Sequence, residues 1–286
     1  MRGICLVALI GLPGAGKSSL CTWLLGQQAA LRVRHIVHLC YDDFLDAGPS
    51  AELAYKEQRR RIFGTIEQLI TAIQEDIDWP AQTRRRTASN SDPSSSGHLI
   101  LCDDNFYYRS MRHKLHQLCR TSGCVFGQIH IARSLDLCLR DNSKRSGANC
   151  VPVDIVRQMS DRLEPPGSEA WERNSLTLHI LDMDERERLL LGFISSLLEM
   201  PAVPPATESQ QAQDQSLTHR LDLLLRARIG ALLQEIAQEV DRRLAGQALN
   251  NKRKQILTRF RTEGGGEEAK GDAEDEALNY YVHLLN

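Results

Sequence analysis

Near the N-terminus, Gly11-Leu12-Pro13-Gly14-Ala15-Gly16-Lys17-Ser18 has the residue types and spacing that hold a triphosphate. Gly11, Gly14 and Gly16 let the backbone turn sharply and bring its N–H groups close to phosphate oxygens. A helix beginning at the loop adds unpaired N–H groups and a positive dipole end, and Ser19 falls in its first turn. In this P-loop pattern Lys17 reaches the β- and γ-phosphates and the Ser18 hydroxyl binds Mg²⁺. The apolar run Ile4 to Ile10 before the loop, and the helical pattern from Ser18 to about Leu25 after it, supply the context the motif requires.

Carboxylates recur where further apolar runs end. His35 to Cys40 reads as a second strand closing on Tyr41-Asp42-Asp43-Phe44, and His98 to Cys102 as a third closing on Asp103-Asp104-Asn105. In open α/β sheets ligands lie beyond the carboxyl ends of the strands. Asp42, ahead of Asp43, is placed to orient an attacking hydroxyl or take its proton, against the alternative of capping a helix. Asp103, ahead of Asp104, matches the Walker B carboxylate that holds Mg²⁺. After a fourth strand, Val125 to Ala132, a helix over Ser134 to Lys144 leads into Arg140-Asp141-Asn142-Ser143-Lys144-Arg145. Small P-loop kinases carry a lid there, whose arginines neutralise charge on the transferring group.

The elements that must position these residues follow from periodicity. Tyr55 to Ile77 puts Ile62, Ile66, Leu69, Ile70 and Ile73 on one helical face. A helix over about Tyr108 to Thr121 and a fifth strand over Ser175 to Leu181 complete an alternation that argues for a parallel, three-layer α/β sheet. The resulting expectation is a P-loop domain over residues 1–184. Residues 84–97, rich in Ser, Arg, Asn and Pro, read as a disordered insertion and 140–170 as the lid region. A connecting helix over 185–198, a linker over 199–216, a basic helical region over 217–262 and an acidic tail over 263–286 follow.

With 286 residues and 42% hydrophobic content, the chain can bury a substantial core. Eight cysteines without a Cys-x-x-Cys pair predict buried reduced thiols rather than zinc or a disulfide framework. The run after Arg2 is short and enters the P-loop directly, which argues for a strand rather than a signal peptide. No stretch approaches the ~20 apolar residues of a membrane span, so the expected location is cytoplasmic. The net charge of −2 conceals two opposed segments. Residues 217–262 hold ten basic residues against four acidic ones, an excess that suits a nucleic-acid backbone. Residues 263–276 hold seven acids and one lysine, and such a tail can fold back, mimic nucleic acid or stay disordered.

The P-loop, Tyr41-Asp42-Asp43 and the run Leu101-Cys102-Asp103-Asp104-Asn105-Phe106-Tyr107-Tyr108-Arg109-Ser110-Met111-Arg112 together resemble the L-seryl-tRNA(Sec) kinase family. The resemblance continues through Leu163-Glu164-Pro165, Ala170-Trp171-Glu172 and Asn174-Ser175-Leu176-Thr177, and covers about residues 4 to 180. It implies an adenylate-kinase-like P-loop fold with a smaller all-helical C-terminal region that grips tRNA. It also implies ATP and Mg²⁺ as cofactors, seryl-tRNA(Sec) as partner without DNA, and phosphorylation of the seryl hydroxyl. Carried over by position, Lys17 and Ser18 bind ATP and magnesium, Asp42 is the catalytic aspartate and Asp103 the Walker B acid. The family's lid reads Arg-x-x-x-Arg. Here Asp141 stands in the first arginine's place, so Arg145 keeps its position while Arg140 or Lys144 substitutes. The rival reading is a tRNA-stimulated P-loop ATPase, like the P-loop partner of the Elongator complex. A GTPase is disfavoured, because no Asn-Lys-x-Asp is present.

Overall fold

The computed structural model describes residues 3–44, 51–147, 150–167, 169–179, 183–201, 217–236, 239–262 and 272–285. These form two compact units, residues 1–206 and 207–286.

The first unit is built on a sheet whose strands are apolar on both faces, the pattern of parallel strands covered on either side. In chain order they are β1 (Ile4–Ile10), β2 (His35–Cys40), β3 (Thr87–Ser89), β4 (His98–Asp103), β5 (Val125–Ile131) and β6 (Ser175–Leu178). In space the order is β3-β2-β4-β1-β5-β6, parallel throughout except for β3. Alternation along each strand sorts the core into two layers. Ile4, Leu6, Ala8 and Ile10 face one side with Val37, Leu39, Ile100 and Cys102. There they meet α3 (Ala51–Glu75) through Ile62, Ile66, Leu69, Ile70 and Ile73, and α4 (Arg109–Ser122) through Leu115 and Leu118. Cys5, Val7, Leu9, Leu99 and Leu101 face the other side, against α1 (Lys17–Leu25) and α7 (Met183–Leu198). The short α2 (Gln28–Leu31) joins that layer through Leu31.

β1 lies between β4 and β5, so the chain turns to opposite sides of it and leaves a switch point above its carboxyl end. Register does the positioning. Asp103 pairs with Leu9 on one side and Cys40 on the other, which sets the P-loop, Asp103 and the Tyr41–Phe44 turn side by side. The region expected to carry the lid, 140–170, takes in the end of α5 (Leu135–Asn142) and all of α6 (Val153–Arg162), the latter a helix not anticipated from periodicity.

Three expectations are corrected. Residues 84–97 are not a disordered insertion: β3 pairs antiparallel with β2, and Asn90 N–H and Ser96 N–H donate to Arg34 and Arg32 carbonyls. Asx-type bonds from Ser94 to Asp92 tighten the turn, so side chains that read as low-complexity serve as turn formers. The 185–198 helix does not connect units; Leu190, Ile194 and Leu197 are core residues of the first. The 263–286 tail holds a helix, α10 (Asp272–His283), whose Leu278 and Tyr281 are buried. Residues 263–271, and the linker apart from 199–201, lie outside the described residues.

The second unit joins α10 to α8 (Leu217–Gln234) and α9 (Glu239–Thr262) around Leu221, Leu225, Ile229, Ile256, Leu257 and Phe260. Arg253 is fully buried and ion-paired with Asp222, which also accepts from Arg226 Nε at 2.8 Å. Of the ten basic residues expected to face nucleic acid, Arg253 therefore joins two helices and Arg226 is tied to its own. All eight cysteines are free, and all but Cys150 are buried. Among the described residues, no helix is long and apolar enough to cross a membrane.

Candidate active site

The P-loop glycines have the backbone their motif predicts. Gly11, Gly14 and Gly16 have φ of 155°, 82° and 102°, conformations costly for a residue with a Cβ. Gly14 carries a second constraint: a Cβ there would lie 2.2 Å from the Cys138 carbonyl oxygen and 2.9 Å from the Asn142 nitrogen, both in α5. The lid helix therefore rests on bare backbone. Gly14→Ala is expected to displace α5 and weaken nucleotide binding about tenfold or more, through about 1–3 kcal/mol of strain. Calorimetric titration with ADP checks this, and an unchanged affinity would show that α5 does not constrain the loop.

Lys17, 7% exposed, donates from Nζ to the carbonyls of Gly11 and Leu12, each at 3.0 Å, and to Asn105 Oδ1 at 2.9 Å. Burial pulls its pKa below the usual lysine range, against the pull of Asp103 and Asp104. Asn105 also accepts the Gly11 N–H through its backbone carbonyl at 3.2 Å, so it clasps the loop from the β4 side. Sequence reading assigned Asn105 no role, although it stands directly after the two aspartates.

Asp103 is buried, and its Oδ2 accepts from His38 Nε2 at 3.0 Å. Burial opposes its charge, but the bonds from His38 and the Ser18 hydroxyl, with Lys17 nearby, together hold the carboxyl below its ordinary pKa. An anionic carboxylate bonded to a hydroxyl is the hard-oxygen donor pair that fits Mg²⁺. Cys21 brings a thiol within 4.8 Å of the His38 and Asp103 donor atoms. Burial raises that thiol well above its ordinary pKa, so Cys21 offers a neutral thiol beside the His38–Asp103 bond rather than a thiolate ligand.

Asp42 stands in the turn after β2 in contact with solvent. Partial burial of its carboxyl, then the charges of Asp104 and Asp103, raise its pKa above the ordinary value, while Lys17 and Arg145 pull it down. Lys17 and Arg145 thus both act on this carboxyl. Asp43 instead pairs with Arg86 at 2.8 Å. Asp104 pairs with Arg59 Nη1 at 2.5 Å, and the Arg59 guanidinium lies 5.2 Å from the Tyr41 ring centroid.

The lid resolves its odd residue. Asp141 accepts from Arg133 Nη2 at 2.5 Å and Lys144 at 2.6 Å, with Arg140 Nε at 3.4 Å. These bonds from Lys144 and Arg133 bring its pKa to about 2. Arg133 also donates to the Gly14 carbonyl at 3.1 Å, linking the end of β5 to the loop. Sequence reading passed over Arg133; its signal was a cation one residue beyond the fourth predicted strand.

The Asp-Asp-Asn-Phe-Tyr-Tyr-Arg-Ser-Met-Arg block is largely scaffold. Phe106 has φ of 42° and is buried. Fully buried Arg112 donates to the Phe106 carbonyl at 3.0 Å and to Glu172 Oε1 at 2.8 Å. Glu164 Oε2 accepts from the Arg109 N–H at 2.7 Å, and Glu172 Oε2 from the Gly167 N–H at 3.1 Å. The separated sequence blocks around Glu164 and Glu172 thus converge on one loop.

Two cavities are lined by residues next to the site's own. One, of about 660 Å³, is lined by Ala15, Gly16, Ser19, Trp23, Arg133, Arg140, His179 and Arg186, among others. The second, of about 540 Å³, lies against Tyr41, Arg59 and Phe106. They share no lining residue.

The family model for "Chromatin associated protein KTI12" matches residues 4–262. The chain is 27% identical over 286 residues to L-seryl-tRNA(Sec) kinase of Mus musculus, covering 83% of this chain and 77% of that protein. It is 29% identical over 213 residues to L-seryl-tRNA(Sec) kinase of Homo sapiens, covering 62% of this chain and 60% of that protein. Among solved structures it is similar to Kti12 of Chaetomium thermophilum in complex with ADP-AlF3, at 13% identity and a TM-score of 0.49, covering 68% of this chain and 100% of that one. A glycine-rich loop clasped by Asn105, a buried carboxylate beside it, and a family match spanning nearly the whole sequence agree: the chain belongs to the KTI12 family, within the P-loop kinase-like proteins.

Proposed function

We propose that this protein is an ATP-dependent kinase that phosphorylates the seryl hydroxyl of seryl-tRNA(Sec), giving O-phosphoseryl-tRNA(Sec). The observation that supports the reading is a pair of cavities with different linings, one against Ala15, Gly16 and Ser19 of the P-loop and its helix, the other against Tyr41, the neighbour of Asp42, and Phe106. A hydrolase needs room for one nucleotide and a water, whereas transfer to a second substrate needs a second site. The relatives named L-seryl-tRNA(Sec) kinase support this acceptor class.

On this reading Gly11 to Ser19 cradle the phosphates, and Lys17 exchanges its bonds with the Gly11 and Leu12 carbonyls for phosphate oxygens. Ser18 and Asp103 are the residues that would hold Mg²⁺, which when bound offsets charge on the β- and γ-phosphates. Asp42 orients the seryl hydroxyl and accepts its proton as the seryl oxygen bonds to the γ-phosphorus and the bond from that phosphorus to the β–γ bridging oxygen breaks, releasing ADP. Arg145, coupled to Asp42 and Lys17, faces the transferring group, while Arg140 lines the nucleotide cavity. Preorganised charge in a partly buried site supplies most of the stabilisation.

Transfer of a labelled γ-phosphate tests the proposal, using seryl-tRNA(Sec), seryl-tRNA(Ser) and no RNA in parallel. Label on seryl-tRNA(Sec) alone is the expected result. Free phosphate released on adding either tRNA, with none on serine, overturns it in favour of the tRNA-stimulated ATPase.

A further inference from the structure

The cavity beside Asp42 has a chemistry of its own. Its walls are the aromatic rings of Tyr41, Phe63 and Phe106 with Met111, and its cations are Arg59, Arg60 and Lys114; among the described residues no carboxylate lines it. Tyr41 and Phe106 meet edge to face with centroids 5.4 Å apart, and both are buried, so that wall is rigid. Arg59 is held between Asp104 and the Tyr41 ring, and Arg60 pairs with Glu57. Lys114 stands exposed on α4 at the same cavity. Flat apolar walls with cations at the margin match a nucleobase joined to a phosphodiester: the base stacks, and the cation meets the phosphate. At about 540 Å³ the cavity is the size of a small-ligand site.

Resting on the kinase reading above, we infer that this cavity holds the 3′-terminal nucleotide of the acceptor RNA, with the base against Phe63 and Lys114 at the adjoining phosphodiester. An aminoacyl ester sits on the terminal ribose, so a base seated here carries the seryl group toward Asp42, the residue that follows Tyr41. Phe63 and Lys114 are then acceptor-binding residues.

Equilibrium binding of the ribotrinucleotide CCA to the full chain, with saturating ADP, tests the inference. Phe63→Ala should weaken binding about tenfold, the loss of one stacking contact. Lys114→Glu, at an exposed position outside the core, should also weaken it and lower the slope of log affinity against log salt by about one. Both variants should bind ADP as the parent does. Undetectable CCA binding by the parent, CCA binding unchanged in both variants, or equal displacement of CCA by an acidic hexapeptide would overturn the assignment. The two readings fail separately. CCA binding lost in the variants without serine phosphorylation by the parent sinks the kinase and keeps the pocket. Normal KM for seryl-tRNA(Sec) in both variants sinks the pocket and keeps the kinase.

Discussion

Asp42→Asn is expected to lower turnover by about 10²–10⁴-fold, the range for loss of a positioned general base, while leaving ADP affinity within a few-fold. The substitution keeps shape and hydrogen-bonding reach and removes only the charge and basicity. The same carboxyl predicts the acidic limb of the pH profile. Partial burial with Asp104 and Asp103 raises its pKa, so activity should fall as pH drops through a point above 3.8, and that limb should vanish in the asparagine variant. Stability moves oppositely. A carboxyl whose folded pKa exceeds its unfolded value binds more protons in the native state, so its ionisation costs stability as pH rises through that window. Asp42→Asn should therefore be no less stable than the parent near neutrality. Near-normal turnover, or lost turnover with an equal loss of stability, would remove the assigned role.

The second large effect lies in the scaffold. Glu172→Ala is expected to cost about 3–5 kcal/mol of unfolding free energy, because it leaves the buried Arg112 charge without its carboxylate. It also frees the Gly167 N–H and loosens Arg109, whose Nε lies 3.4 Å from Glu172. A double change, Arg112→Met with Glu172→Leu, should recover much of the loss, since apolar replacement of a buried pair is often neutral. Urea denaturation measures both. A cost below about 1 kcal/mol for Glu172→Ala would mean that Arg112 finds other partners.

Much of this was legible in the chain. Period-two burial and continuous apolar runs located β1, β2, β4 and β5, because parallel strands must be apolar on both faces. The P-loop announced its own backbone, since only glycine tolerates the φ values at positions 14 and 16. What escaped was whatever depends on partners far away in sequence. β3 is three residues long and exists only because β2 offers it an edge. α6 is only ten residues long and buries only Val156, so little apolar sequence marks it out. Arg253 reads as a nucleic-acid contact until Asp222, thirty-one residues earlier, claims it. Likewise, Asn105 could not be seen to grip Lys17 without the register of β4 against β1.

The ion-paired Asp141 changes what the nucleotide entrance offers to passing anions. Arg133, Arg140 and Lys144 converge on one carboxylate, so the entrance already contains a resident anion. An incoming triphosphate, with several charges and the loop amides to meet it, can outcompete that resident, whereas a single phosphodiester linkage gains little by trying. The carboxylate at position 141 is therefore expected to favour dense charge over sparse at the cavity that Arg133 and Arg140 line.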